Sequence, residues 1–392
     1  MVKNKEILEF VATCLFGFEK FVSDEITDLG YEKTAVIDGR VTFKGDISAV
    51  ARCNMWLRYA ERLYIKLGEF DGLSFDDLFD GTKSLPWERW IGKDDMFPVK
   101  GHSIKSKLTS IPDCQKIIKK AVADRLFSKH GVTSLRETGT KYQIVFFILD
   151  NRVSLMIDTS GSPLHKRGYR TESAEAPLRE TLAAAMVKIS RPREEVLLWD
   201  PFCGSGTIPI EAALIMTNTA PGLSGGNGIN GKNIEGRNFI SEEFREIPEV
   251  LWKEARNEAK SLQNLSVNFE TYASDIDKAC VEITKSNINR ANMGKYVKTF
   301  IKDALKIKTE GRRGTIVCNP PYGERMFTKE QTEKLYRETG KHFETLDLWQ
   351  IYILSSHEEF SSLYGRKPDK IRRLYNGMIK CNYFQYYKPR NK

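Results

Sequence analysis

Residues 195–207 read EVLLWDPFCGSGT. Glu195–Asp200 is apolar enough for a buried strand, and it ends in an acid followed by proline and two glycines. The run Asp200-Pro201-Phe202-Cys203-Gly204-Ser205-Gly206-Thr207 then opens a helix predicted over Thr207–Met216. Glycines at such a turn let a ligand approach the backbone, and the helix N-terminus offers unpaired N–H groups to an anion or carboxylate. A tight strand–helix turn without a ligand has the same local signature. The turn is not a P-loop, because no Gly-Lys-Ser/Thr follows. It also fits the dinucleotide fingerprint poorly: Gly206 is followed by Thr-Ile-Pro, and the next strand-end acid is as far away as Asp275.

Downstream, strands and helices alternate. Strands are expected at Tyr272–Asp277, Val297–Ala304, Thr315–Cys318 and Trp349–Ser355, and helices at Lys278–Met293, Thr328–Leu346 and His357–Leu363. Lys370–Lys388 closes as a hairpin turning at Asn376-Gly377. This order predicts an α/β fold with a doubly wound, Rossmann-like parallel sheet and a terminal antiparallel hairpin. Asn218–Phe239 reads as a glycine-rich loop. Upstream, the first 65 residues read as a small α/β unit with a hairpin at Thr34–Phe43 turning on Asp38-Gly39. A second unit follows, with a strand at Met96–His102, a helix at Asp113–His130, and a hairpin of Tyr142–Leu149 with Arg152–Asp158. The expected domains are therefore 1–65, 66–160 and 161–392.

The 392 residues carry 61 Lys+Arg against 52 Asp+Glu, a formal net charge of +9, which favours a polyanionic partner such as nucleic acid. With 41% apolar residues the chain can bury sizeable cores. No apolar run approaches the ~18 residues of a membrane span. The N-terminal sequence has acids inside its short apolar runs, unlike a signal peptide. Seven scattered cysteines without a C-x-x-C pair, and five isolated histidines, argue against a disulfide framework or a metal enzyme and favour a reducing cytoplasm.

Three further features carry chemistry. Asp275 and Asp277 end a strand, where a carboxylate can accept from both hydroxyls of a ribose; Asp277 also fits a helix N-cap. Asp303, before Ala304, could accept from an adenine amino group or be a solvated turn acid. Asn319-Pro320-Pro321-Tyr322-Gly323 follows an apolar strand directly. Its two prolines fix a rigid extended turn at the sheet edge where open α/β sheets bind ligands. Such a turn would present the Asn319 amide oxygen and the Pro320 carbonyl to an exocyclic amino group, with the Tyr322 ring for a base to stack on.

DPFCGSGT, ASDID, KDA and NPPYGER, in that order, resemble the class I S-adenosylmethionine-dependent methyltransferases that modify amino nitrogens of bases. Leu164–Arg170 (LHKRGYR) and Ala176–Ala183 (APLRETLA) narrow the resemblance to the THUMP-domain RNA methyltransferases, and within them to the methyltransferase half of the bacterial RlmL type. ATCLFGFEKFVSDEI and the Met96–His130 segment are similar to that family's ferredoxin-like N-terminal and THUMP regions, so the resemblance covers essentially the whole chain. It implies S-adenosylmethionine as cofactor, no metal, RNA as partner, and methylation of guanine N2 in 23S rRNA. It implies that Asp200, Phe202, Gly204, Gly206 and Thr207 shape the methionine end of the cofactor pocket. Asp275 would hold the ribose, Asp303 and Ala304 the adenine, and Asn319, Pro320 and Tyr322 the target base. Pro177–Thr181 would close the pocket, and Arg325 would approach the RNA backbone. Transfer to tRNA guanine N2, to DNA adenine N6, or a non-catalytic RNA-binding role are the alternatives.

Lys100–Lys129 holds eight Lys+Arg and two Asp. Lys100, His102, Lys105, Lys107, Lys116, Lys119 and Lys120 are the candidate RNA contacts; a solvated helix face is the plain alternative. The global charge lies elsewhere. Residues 365–392 hold nine Lys+Arg and one Asp, which leaves 52 basic against 51 acidic residues in the first 364. Edge-strand protection accounts for part of that terminal excess.

Overall fold

The computed structural model describes residues 6–170, 178–225, 236–322 and 328–387. Its N-terminal part contains β1 (Leu8–Cys14), α1 (Glu19–Asp28), β2 (Glu32–Ile37), β3 (Arg40–Gly45), α2 (Ser48–Trp56) and β4 (Ala60–Asp71). It continues through α3 (Phe75–Ser84), β5 (Val99–Ile104), α4 (Ile111–His130), β6 (Ile144–Leu149) and β7 (Arg152–Asp158). All seven strands lie in one sheet, ordered β2-β3-β1-β4-β7-β6-β5. The twelve-residue β4 makes this continuity, pairing with β1 over its first half and with β7 over its second. Both expected hairpins form; Asp150 and Asn151 turn the second with positive φ at both positions, as a two-residue type I′ loop requires. β5 starts later than its sequence suggests because Pro98 has no N–H for the ladder; Met96 makes only an isolated bridge to Lys141.

One face of this sheet is covered by helices, and its apolar residues, among them Phe10, Leu63, Phe146 and Ile157, are fully buried. The other face has a small cluster of Val11, Tyr64 and Met156 with Val145 and Phe147, bordered by charged side chains.

The C-terminal part contains α5 (Glu180–Ser190), β8 (Leu197–Asp200), α6 (Thr207–Met216), α7 (Glu249–Ser261), β9 (Thr271–Asp275), α8 (Lys278–Arg290) and β10 (Val297–Ile301). It ends with β11 (Gly314–Cys318), α9 (Lys329–Glu344), β12 (Trp349–Ser355), α10 (Phe360–Tyr364), β13 (Lys370–Asn376) and β14 (Ile379–Tyr386). The sheet order is β10-β9-β8-β11-β12-β14-β13, parallel except for β14, which runs antiparallel to both neighbours. Order reverses on either side of β8, so a crevice opens at the carboxyl ends of β8, β9 and β11. The terminal hairpin turns one residue later than expected: Asn376 pairs with Ile379, leaving Gly377 and Met378 as the loop. The sequence reading placed no helix at α5 or α7.

The two sheets share one apolar core, which runs from the N-terminal strands through α5 and α6 to Leu374, Cys381 and Tyr383 of the hairpin. A second core lies between the C-terminal sheet and α9 with α10. No helix among the described residues is long and apolar enough to cross a membrane.

Gly340 in α9 packs so closely on α10 that an added Cβ would collide with the Tyr364 carbonyl oxygen. Alanine in a helix interior normally gains ~1 kcal/mol over glycine. Here overpacking against backbone should exceed that gain, at ~1–3 kcal/mol. Gly340→Ala is therefore expected to lower stability in urea denaturation; a stabilised variant would show that this contact is not tight.

Candidate active site

The crevice is built from strand ends upward. β8 ends at Asp200, which is buried; its Oδ1 accepts the Phe202 N–H at 3.1 Å and so folds the chain back at once. The glycine turn that follows is held from two sides. The Gly204 N–H donates to Asp275 Oδ2 at 3.0 Å, and α8 contributes Thr284, whose hydroxyl donates to the Gly204 carbonyl at 2.8 Å. Asn287 donates to the Ser205 carbonyl at 2.9 Å. Gly206 has φ +80°, and a Cβ there would lie 2.7 Å from the Thr284 methyl, so only glycine fits. At Gly204, by contrast, no other atom lies within 4 Å of a would-be Cβ. The turn is thus packed behind and open in front, which suits a ligand lying against its backbone.

Asp275 stands across the opening. Its Oδ1 accepts the Asp277 N–H at 3.0 Å, and both oxygens keep lone pairs for a diol. Asp277 is the N-cap of α8, accepting from Ala279 at 2.8 Å. Asp303 caps the turn at Ala304–Lys306 by accepting from Leu305 at 2.9 Å. Ile276, between the two acids, is 70% exposed at this edge. The sequence reading gave it no role, although a large exposed apolar residue beside Asp275 offers a face for a planar ring.

After β11 comes the Asn319–Tyr322 turn. Tyr322 folds inward: its hydroxyl donates to the Asn319 amide oxygen, and Cys381 of β14 neighbours it. Burial, with the nearby Cys381 thiol, pushes this phenol well above its ordinary pKa. Tyr336 of α9, which sequence reasoning did not single out, donates to the Pro321 carbonyl at 2.8 Å from within the second core. No local pattern signals that contact, which spans fifteen residues. Gly323, Glu324, Arg325 and Pro177 lie outside the described residues.

Two predicted pocket residues are engaged elsewhere. The Thr181 hydroxyl donates to Glu61 of β4 at 2.7 Å. Thr207 Oγ1 accepts from Arg170 at 3.3 Å, and Arg170 also reaches the Leu178 carbonyl and Glu180, each at 3.0 Å. Any part these threonines play for a ligand is therefore shared with bonds that fix the segment between the sheets. The candidate RNA contacts are divided too. Lys100 and His102 on β5 line an open groove of ≈ 1290 Å³ with Arg62 and Tyr64, on the face of the sheet away from α4. Lys105 and Lys107 lie in the following loop. On α4, Lys116 is exposed, Lys119 pairs with Glu137 at 2.8 Å, and Lys120 lies 5.7 Å from the Phe79 ring.

The strand order, the open glycine turn, the strand-end acids and the Asn-Pro-Pro-Tyr turn on one edge define a class I S-adenosylmethionine-dependent methyltransferase. The family described as "RMKL-like, methyltransferase domain" matches residues 167–385, "RlmL ferredoxin-like domain" matches 9–64, and "THUMP domain" matches 73–158. The chain belongs to the RMKL-like methyltransferase family. It is 42% identical to "Putative RNA methyltransferase YpsC" of Bacillus subtilis, over 96% of this chain and 95% of that one. It is 32% identical to "Ribosomal RNA large subunit methyltransferase K/L" of Psychromonas ingrahamii, over 93% of this chain and 48% of that one. It thus spans about half the length of the K/L methyltransferases it matches. The crystal structure of SMU.472 complexed with SAH, at 38% identity, superposes with a TM-score of 0.89 and covers 99% of this chain and 100% of that one. S-adenosylmethionine is the cofactor.

Burial raises the Asp275 carboxyl above the usual carboxylate range, and the Asp277 charge adds to the rise. Ribose hydroxyls would donate to the ionised form. Binding should therefore release a proton and tighten as pH rises through the free-site value. Calorimetry of S-adenosylmethionine binding in buffers of different ionisation enthalpy, from mildly acidic to neutral pH, should report this release. Binding without proton exchange and without pH dependence would remove Asp275 from the ribose site.

Proposed function

We propose that this protein transfers a methyl group from S-adenosylmethionine to the exocyclic N2 amino group of a guanine in 23S rRNA. The observation that carries the reading is the Asn319–Tyr322 turn at the edge of the sheet, beside the open Gly204 turn. The naming of relatives after RNA and the ribosomal large subunit supports the choice of substrate. A ribosomal substrate implies work in the cytoplasm.

The residues divide the task. Gly204 and Gly206 bring backbone to the methionine end of the cofactor, with Asp200 and Phe202 shaping the turn and Thr207 opening the helix. Asp275 holds the ribose; Asp303 and Ala304 border the adenine. When bound, the cofactor supplies a methyl group on a sulfonium, already electrophilic, so the protein's work is alignment. The guanine amino lone pair is delocalised into the ring. Asn319 Oδ1 and the Pro320 carbonyl accept its two hydrogens, favour a tetrahedral nitrogen and stabilise the positive charge that develops on it. Pro321 has no N–H to compete for that space.

The Tyr322 hydroxyl already occupies the Asn319 amide oxygen. The incoming amino group exchanges with it, freeing the Tyr322 ring to stack on the base. That base must first leave its helix or loop stack.

Asn319→Ala should lower kcat by ~100-fold or more, the scale of a lost transition-state hydrogen-bond partner, with cofactor Kd nearly unchanged. Near-normal turnover on saturating RNA would remove Asn319 from the site. Nucleoside mass spectrometry of a deletion strain should show loss of N2-methylguanosine from 23S rRNA; loss from tRNA alone would move the substrate there.

Lys105 and Lys107, with Lys100, His102, Lys116, Lys119 and Lys120, are assigned to the phosphate backbone. The Lys105→Glu, Lys107→Glu double variant should weaken RNA binding and flatten its salt dependence by about two units of slope at most. An unchanged slope would exclude that loop from the interface.

A further inference from the structure

Apart from Cys381 beside Tyr322, the terminal hairpin has no part in the site described so far, yet it stands over it. β12 ends at Ser355, paired with Asn382, so residues 376–381 project past the carboxyl edge that carries the target-base turn. Cys381, at the root of this projection, neighbours the Tyr322 hydroxyl. At ~3.3 Å per residue, Met378 stands roughly 10 Å beyond Cys381.

The tip is unlike an ordinary turn. Gly377 is demanded by its φ of +64°. Nothing demands methionine next to it; Asn, Asp, Ser or Gly would serve and would stay hydrated. Met378 is 97% exposed, with Ile379 also exposed beside it. Tyr375, across the hairpin, meets the edge of the Phe16 ring at 6.3 Å, which props the tip against the N-terminal sheet. Arg372, further down β13, donates to the Gly17 carbonyl at 3.0 Å and so fixes the same junction. Arg373 and Lys380 are exposed and have no acidic partner among the described residues. An apolar point on a braced, cation-rimmed arm suits one occupant: an RNA stack, with phosphates on the rim and bases at the tip.

We propose that Met378 is a wedge that enters the RNA beside the target nucleotide and fills the space the extracted base leaves. This rests on the reading of the protein as an RNA base methyltransferase. A wedge offsets the unstacking cost, which a nucleotide already unpaired does not incur. The side chain is a positioning residue, because it touches the neighbours of the reacting base and not the reacting atoms.

The test compares wild type, Met378→Ala and Met378→Leu on two probes. One is a 23S rRNA transcript; the other is a short single-stranded oligonucleotide containing the nucleotide that wild type methylates. Met378→Ala should lose about tenfold or more in kcat/KM on the transcript and stay within about twofold on the oligonucleotide. Met378→Leu should recover most of the loss, and KM for S-adenosylmethionine should not move. The fluorescence rise of 2-aminopurine placed next to the target should be lost in Met378→Ala. Equal activity of wild type and Met378→Ala on the transcript, or equal losses on both probes, would overturn the wedge alone. A wild type that methylates no RNA would overturn the underlying reading and the wedge with it.

Discussion

A carboxylate with no solvent exposure, Glu211, holds the molecule in its working arrangement. It sits one turn into α6, the helix that begins at the glycine turn, and it faces the guanidiniums of Arg167 at 3.5 Å and Arg58 at 3.6 Å. Tyr169 adds a hydroxyl at 3.2 Å. Arg58 lies in the connection between α2 and β4 and donates to the Thr219 carbonyl at 2.7 Å; Arg167 comes from the strap between the sheets and reaches the Leu164 and Arg58 carbonyls. Removing one partner from a buried cluster of this kind costs ~3–5 kcal/mol, because the remaining charge is stranded out of water. An apolar contact could slide at small cost. A buried charge cluster cannot, so α6, the helix that begins at the glycine turn, is locked in register to the N-terminal sheet.

The same logic repeats closer to the surface. Glu61 of β4 accepts from His165, Arg179 and Thr181, and these three partners hold its carboxyl below the usual range despite burial. Arg170 ties the start of α5 to Thr207. The motif Leu164–Arg170, legible in the sequence only as a family signature, thus has a physical content. His165 fastens Glu61, Arg167 and Tyr169 both fasten Glu211, and Arg170 fastens Thr207 and Glu180. RNA engaged by the N-terminal sheet would be presented to a crevice whose geometry is set by these bonds.

What the sequence made legible follows the range of the interactions involved. The glycine turn, the strand-end acids and the Pro-Pro turn are local: each is dictated by the φ values and missing N–H groups of its own residues. Helix α5 escaped notice because it is buried on nearly every side, so Leu182–Val187 is apolar all round and carries no 3.6-residue period. The joining of two N-terminal units into one sheet depends on β4 pairing with strands on both sides of it in sequence, which no window reveals. The engagement of Thr181 with Glu61, 120 residues away, is of the same kind. Residue type at Thr181 was compatible with a cofactor contact or a junction bond, and only the fold distinguishes where its hydroxyl points.

The net charge follows the same division between local and long-range information. Its location in the last 28 residues is a matter of counting, with four of the nine basic side chains on the hairpin itself, but its meaning depends on topology. On a regular edge strand, lysines and arginines discourage association with another sheet. Here the antiparallel return of β14 carries the hairpin tip past the edge where Asn319 stands, and the loop of Phe16 and Gly17 braces it from the other sheet. Edge protection requires only that charges lie along β13; it requires neither the overhang nor an exposed methionine at the tip. The exposed methionine adds no stability, since Met378 buries almost nothing in the free protein. On the proposed reading of the Asn319 turn as the target-base site, a side chain that gains nothing from its own fold and overhangs that edge is completed by the substrate.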